Sequence, residues 1–470
     1  MESSFNIPAS GFLIPDFREQ AAQVALTQGM PGIRIQFLRG TVWGLSPELI
    51  RSRIVDGVNA VSGQPMMREM ITKLTAPLSA EERDMSPRKM DIGPETYTDT
   101  EDNLHRLFEE KRYTDYLPIV LPTKERVDAM LAQTSHSPDT HLGTMDPGSV
   151  AGERWSYTVR HAAIAAVMAG AKPEYFPVIL ALGSTGTSAV NISDNGFTGG
   201  AVINGRIRDE IGLNYDIGAI GPYAHANQAI GRAWGLLSIN GGNCGKVGTT
   251  YMGTVGNPTN LTSIIIAENE EESPWEPLSV RTGLRPGENA VTLISGWGIL
   301  SARNWAITDW TATPNYSENI RNIYRLQNPS LFGTFVVLSP PIADFVVNEG
   351  NDTLEKLHAF VTTPDPNAKP KGPGGGAPGG GAPGGAAKPK EGAAAKPGGG
   401  APGAGAPGGA AKPKEGVAAK PGGGAPPKPK AAPAATGGGF GVVVTGARNN
   451  NYWMIGGMQV GRTVAIDPWR

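Results

Sequence analysis

A single cysteine, Cys244, occurs in 470 residues. No internal disulfide or dithiol centre is therefore available, which suits a reducing compartment. There is no run of eighteen apolar residues, and the start, Met1 to Phe5, lacks a basic stretch followed by an apolar one. Neither a membrane span nor a secretory signal is indicated, and the expected location is the cytoplasm. Excess charge is lacking too: a net charge of -2 argues for no bulk electrostatic partner. The histidines number six, and His136 and His141, flanking a Ser-Pro-Asp-Thr loop, lack the spacing of metal ligands.

One long stretch lacks everything a core needs. From Lys369 to Lys430 the chain is Gly, Pro, Ala and Lys, with no apolar side chain larger than Val417, and Gly384 to Gly392 recurs as Gly408 to Gly416. Nothing there offsets the entropy of ordering, so 366–438 reads as a disordered low-complexity insertion. As a flexible coil it spans about 45 Å root-mean-square. Its ten lysines stand against Glu391 and Glu415, a local +8 that leaves -10 for the rest. Interleaved aromatics and clustered arginines are absent from it, which argues against nucleic acid and for a solvating spacer.

The remaining residues are enough for two or three domains. Residues 1–77 read as a partial α/β module: a helix from Arg18 to Gln28, a C-cap at Gly29, a strand from Ile33 to Leu38, and a helix opened by Ser46 and Pro47. Residues 78–112 are highly charged and read as a connector. The main α/β domain is expected at 113–365. Within it Trp155, Val159, Ala163 and Val167 recur every four residues and predict a helix ending at Gly170. Residues 439–470 resemble a hairpin, and since a lone hairpin is marginal in water it must dock on the main domain. The fold class expected is α/β, multi-layered, mostly three layers, around a mixed or parallel sheet.

Two segments carry candidate chemistry. Gly218 to Arg232 looks like a glycine-hinged loop, with Gly218 and Gly221, running into a helix capped near Asn227. Free N–H groups there would attract an anion, with His225 placed to move a proton and Arg232 farther inside. The bland alternative is a tight turn packing a helix on a sheet. Glu268 to Trp275 follows the apolar run Leu261 to Ala267, which reads as a buried strand. Acids at the end of such a strand sit where α/β enzymes put working residues. Glu268 or Glu270 would be a general base, Asn269 an orienting donor and Trp275 an apolar wall. A hard divalent cation on these acids stays open, while Glu271 and Glu272 read as a solvated helix start. The two segments are expected to face one cavity. Cys244 reads as a bland cysteine and His161 as structural.

Three segments, Tyr116 to Arg126, Ala166 to Pro177 and Ile266 to Leu278, together with Asn204–Gly205, Gly218 to Pro222, Asn227, Ile230 to Ala233 and Val443 to Gly446, resemble the bacterial family named for its UGSC or CGSC motif, thiol or selenol proteins without an agreed reaction. The resemblance adds Asn204 to the candidate binding residues and implies an anion role near His225, where the family often has a basic residue and this chain has His. The family's own motif, a Gly-Asp turn followed by Cys or Sec, Gly, Ser and Cys, has no counterpart here, and the chain resembles the region that follows it. What the resemblance implies is a subunit of a hetero-oligomeric enzyme acting on a small molecule, with a second protein chain carrying the missing module. Hydratase or lyase chemistry without a thiol, or a non-catalytic scaffold, are the alternatives. No motif specifies a cofactor.

Overall fold

The computed structural model describes residues 8–27, 29–30, 32–42, 44–83, 96–145, 154–190, 196–253, 255–301, 315–326, 333–363 and 439–470. The low-complexity tract expected at 366–438 lies outside the described residues. Near the N-terminus, β1 (Gly11–Leu13) and β2 (Ile35–Phe37) pair in parallel, with α1 (Arg18–Thr27) between them in sequence. The local signals act as expected: Gly29 takes φ 74°, and Ser46 Oγ accepts from Leu49 N at 3.4 Å with Pro47 opening α2 (Pro47–Ile54). On the far edge of β2, Ala60 N and Lys73 Nζ, the latter from α3 (Met66–Thr75), bind the carbonyls of Phe37 and Ile35 at 2.7 and 2.8 Å. That edge is thereby capped by the chain itself.

The stretch read as a connector contains α4 (Glu101–Glu110). Leu104, Leu107 and Phe108, three and four residues apart, share one face, and Phe108 meets Tyr97 and Tyr113 edge-on at 6.4 and 5.7 Å. Charged residues fill the rest of that helix and mask its periodicity. Next come α5 (Lys124–Leu131), the antiparallel pair β3 (His141–Met145) and β4 (Trp155–Thr158), α6 (Val159–Met168) and α7 (Phe176–Ser184). Helix α6 starts four residues later than the spacing predicts. Trp155 belongs to β4, and Thr158 caps the helix through a capping box in which Thr158 N donates to His161 Nδ1 at 3.1 Å.

Alternation along the strands that follow sets the layering. Strands β5 (Thr198–Asn204), β6 (Ile264–Ala267), β7 (Ala290–Gly296) and β12 (Met458–Ala465) form a mixed sheet in the order β12-β7-β5-β6, with β5 and β6 parallel. A second sheet has the order β10-β9-β11-β8, from β8 (Leu300–Ser301), β9 (Thr334–Leu338), β10 (Phe440–Val444) and β11 (Trp453–Gly456). Ala201, Ile203, Ile265, Val291 and Leu293 pack under α6, α7 and α8 (His225–Gly242). Their neighbours Val202, Ile264, Ile266 and Ile294, with Met458 of β12, point the opposite way and meet Phe335, Val337 and Val443 of the facing strands. Val336, Leu338, Val442, Val444, Trp453 and Ile455 then turn outward onto α9 (Tyr316–Leu326), α10 (Pro340–Asn348) and α11 (Leu354–Thr362). The chain is α/β, and among the described residues the two four-stranded sheets and the helices covering them stack in four layers, helix-sheet-sheet-helix, where three were expected. Period-two alternation with both faces apolar shows that a strand is covered twice and not whether helices or a second sheet do the covering.

The expected C-terminal hairpin does not form. β10 pairs in parallel with β9, β11 pairs antiparallel with the other edge of β9, and β12 crosses to β7 in the first sheet. A central β9 buries more apolar surface than two strands paired with each other. Helix α8 sits unusually close to the first sheet at Gly231, where a Cβ would lie 1.9 Å from the Thr262 carbonyl oxygen. No helix among the described residues is long and apolar enough to cross a membrane.

Candidate functional site

Because β5 and β6 are parallel and pair Ile203 with Ala267, the next residues of each, Asn204 and Glu268, emerge side by side at the carboxyl ends of the strands. The end of β10 reaches the same place from the second sheet. Asn269 N donates to Val444 O at 2.8 Å, and Thr445 Oγ1 donates to Ala267 O at 2.7 Å. The carboxyl ends of parallel strands are where open α/β sheets place ligands.

Glu268 is buried, 1% exposed, and its Oε2 accepts from Asn204 Nδ2 at 2.7 Å and from Leu278 N at 2.8 Å. Oε1 has no hydrogen-bond partner among the described residues and stands 3.8 Å from the Arg281 guanidinium. Burial pushes the Glu268 carboxyl above its usual range, against the pull of Arg281. Glu270 Oε1 accepts from Gly205 N at 2.7 Å and from Asn204 Nδ2 at 3.0 Å, with Arg208 Nε at 3.4 Å. Gly205 reaches that carboxylate at φ 90°, and a Cβ there would meet Glu288 O at 2.7 Å.

Arg208 organises the adjacent surface. It is buried, donates from Nε to Gly205 O at 2.9 Å and from Nη1 to Glu268 O, and forks onto both oxygens of Glu271 at 2.8 and 3.2 Å. The hydrogen bond from Arg208 holds Glu271 below the usual carboxylate range. The Arg208 guanidinium lies over the Tyr215 ring at 4.8 Å, and Tyr215 donates its hydroxyl to Asp209 at 2.6 Å, which pushes the phenol up to about 12. These side chains border an open cleft of about 730 Å³. Its walls are Arg208 and Asp209, the loop Gly212 to Asp216, the acidic turn at Asn269, Glu271 and Glu272, Pro340, and Gly446 to Arg448. Asn269 Nδ2 donates to Gly446 O at 3.2 Å across the floor, while Arg448 bonds Glu272 and reaches Asp344 at 2.5 Å.

The residues expected from sequence divide sharply. Asn269 lines the cleft, and Asn204, Glu268 and Glu270 form the network behind it. The glycine-hinged loop is placed differently: Gly218, Gly221 and His225 are not among the residues that line this cleft. His225 is the first residue of α8, with Nδ1 3.2 Å from the Tyr175 hydroxyl. Asn227 does not cap α8 against a ligand. Its Oδ1 accepts from Asn214 N at 2.9 Å and its Nδ2 donates to the carbonyls of Asn214 and Ile265, which clamps the cleft-lining loop to β6. Arg232 forks onto Asp115 with two 2.9 Å bonds, so its charge is spent on the chain. Trp275 packs with the core under the second sheet and donates Nε1 to Asp352 O at 3.1 Å. Of the side chains expected to serve an anion at the start of α8, Asn227 and Arg232 are thus engaged with the chain itself.

Arg208, Tyr215, Glu271, Glu272 and Arg448 line the cleft without any sequence signal that marks them for it. The acidic turn comes nearest to one, but it also reads as a solvated helix start. Arg448 lies 176 positions from its partner Glu272, a separation no local pattern reveals. Cys244 is buried. His136 Nε2 meets Pro468 O at 2.8 Å, and among the described residues no group of three His, Cys, Asp or Glu is placed to hold a metal ion. No protein-family model, curated protein or solved structure matches the chain.

Proposed function

We propose that this chain is the substrate-holding, acid–base subunit of a hetero-oligomeric cytoplasmic enzyme acting on a small molecule, and that a partner chain supplies a Cys or Sec segment. The observation carrying the reading is the convergence of Asn204, Glu268, Glu270 and Asn269 at the carboxyl ends of parallel strands from two sheets, beside an open cleft. The resemblance to the UGSC/CGSC group supports the partner. Within the site the roles separate by exposure. Glu271, with 59% of its side chain exposed, is the carboxylate presented to the cleft, kept ionised by Arg208 and suited to orienting a substrate or stabilising developing positive charge. Glu268 and Glu270 hold the strand ends and fix Asn204, Gly205 and Arg208. Hydration or lyase chemistry fits these groups as well as redox chemistry does.

The test uses the native complex. Mass spectrometry of the purified assembly is expected to show a companion chain containing a Gly-Asp turn followed by Cys or Sec, Gly, Ser and Cys. Turnover of a metabolite extract, followed by NMR, should fall at least about tenfold for Glu271→Gln, the lower end of an acid–base contribution, with little loss of stability. A stable, active monomer of this chain alone would sink the partner. A second reading, a non-catalytic scaffold, is favoured by the commitment of Glu270 to Gly205 N and Asn204, and it gains if Glu271→Gln keeps full turnover.

A further inference from the structure

Residues 116–123 and 217–231 contain no Asp, Glu, Lys or Arg, although the chain as a whole is 18% charged. Both stretches come to the surface beside α8. Gln228 Nε2 donates to Gly221 O at 2.8 Å, and one helical turn further on Arg232 Nη2 donates to Leu117 O at 3.2 Å, so the two lie next to each other along one stripe of the helix. Leu121, Ala219 and Ala224 are buried and anchor them. Their neighbours Tyr116, Leu117, Val120, Ile217, Ile220 and Tyr223 face solvent, with Tyr223 99%, Ile217 67% and Tyr116 65% exposed. Tyr116 and Tyr223 do so at φ 62° and 69°, a region bulky residues seldom adopt, and such outliers gather where a protein binds something. With full side-chain areas on the order of 200 Å², the six expose about 700 Å² between them. That exceeds the ~300–600 Å² of the largest apolar patch on a typical monomer and approaches the ~800 Å² that one partner contributes to a standard interface.

We infer that this face is the interface of a two-fold homodimer, its occupant a second copy of this chain. In a two-fold pair one face meets itself, and a face without formal charge does so with no like-charge repulsion. Arg232, which borders it, is neutralised by its fork onto Asp115. Exposed tyrosines and a lack of charge are also what the buried centre of an interface is made of. None of the six residues lines the cleft, so the dimer neither requires nor excludes the acid–base reading.

Sedimentation velocity of the full chain, without any companion chain, tests this. At micromolar concentration the chain is expected to sediment at twice the mass of one copy and to dissociate on dilution. Tyr223→Lys and, separately, Ile217→Lys bring two copies of a charge into the apolar interface, and each should weaken association at least ~100-fold, since in a two-fold pair every substitution counts twice. Both side chains are exposed, so the fold should be kept, and circular dichroism checks it. Val255→Lys, equally exposed in the loop before Asn257, should leave the dimer intact. A chain that stays monomeric at high micromolar concentration overturns the inference. So does a dimer that survives both lysines, because it pairs through another face. If the chain alone is monomeric and Tyr223→Lys instead strips a companion chain from the native complex, the face belongs to that companion: the homodimer falls and the hetero-oligomeric reading stands. A lysine-sensitive dimer from a native assembly that holds no companion chain has the reverse meaning.

Discussion

Replacing Glu268 with glutamine, alone and together with Arg281→Met, isolates the most demanding electrostatic contact behind the cleft. Glu268 is 1% exposed and its Oε1 stands 3.8 Å from the Arg281 guanidinium, whose side chain is 22% exposed. At that separation an effective dielectric of about 20 gives an attraction of about 4 kcal/mol. Removing either partner strands the other, at a cost of about 3–5 kcal/mol. Arg281→Met also gives up hydrogen bonds to Glu276 O and Val442 O, about 1 kcal/mol each. The double variant keeps the shape and buries no unpaired charge, so its loss should fall well short of the sum. Urea unfolding at neutral pH, read as a double-mutant cycle, is expected to return a coupling of about 2–3 kcal/mol. The pH dependence follows from the raised Glu268 pKa. Between the unfolded value, 4.5, and the higher folded one, the folded protein binds more protons than the unfolded chain, so this group's contribution is fully present below 4.5 and fades as pH rises through the folded value. Glu268→Gln should remove that downward slope. Additivity within about 0.5 kcal/mol, with an unchanged pH slope, would refute the pairing.

Other expectations follow from single contacts. Gly231→Ala in α8 places a methyl 1.9 Å from the Thr262 carbonyl, and overpacking should outweigh the gain in helix propensity, lowering stability by about 1–2 kcal/mol in urea unfolding. Arg232→Met leaves Asp115 without its fork and should cost about 2 kcal/mol in urea unfolding, with turnover of the native complex unchanged. His225→Asn should leave turnover of the native complex unaltered, since that residue does not line the cleft; a large loss would return the start of α8 to the site. Replacing 366–438 by a short Gly/Ser loop should leave the melting temperature nearly unchanged, because the tract offers no core, and a loss of many degrees would contradict that.

Local chemistry is legible in the sequence by itself. Ser46 and Pro47 start a helix, Gly29 and Gly170 end helices in the left-handed region, and Leu261 to Ala267 ends in a buried strand, because caps, φ requirements and apolar runs are written within a few neighbouring residues. The α/β class is legible for the same reason. Pairing and layering are not. That β9 lies between β10 and β11 depends on segments more than a hundred positions apart, and its apolar alternation is equally consistent with a covering helix layer or a covering sheet. The fates of Arg232, Asn227 and Trp275 turn on Asp115, Asn214 and Asp352, partners their own segments do not name. The cleft belongs to tertiary structure alone: Arg208, Glu272 and Arg448 acquire a common role only when the ends of β5, β6 and β10 meet, since charge complementarity is a property of distance in space and not of spacing along the chain.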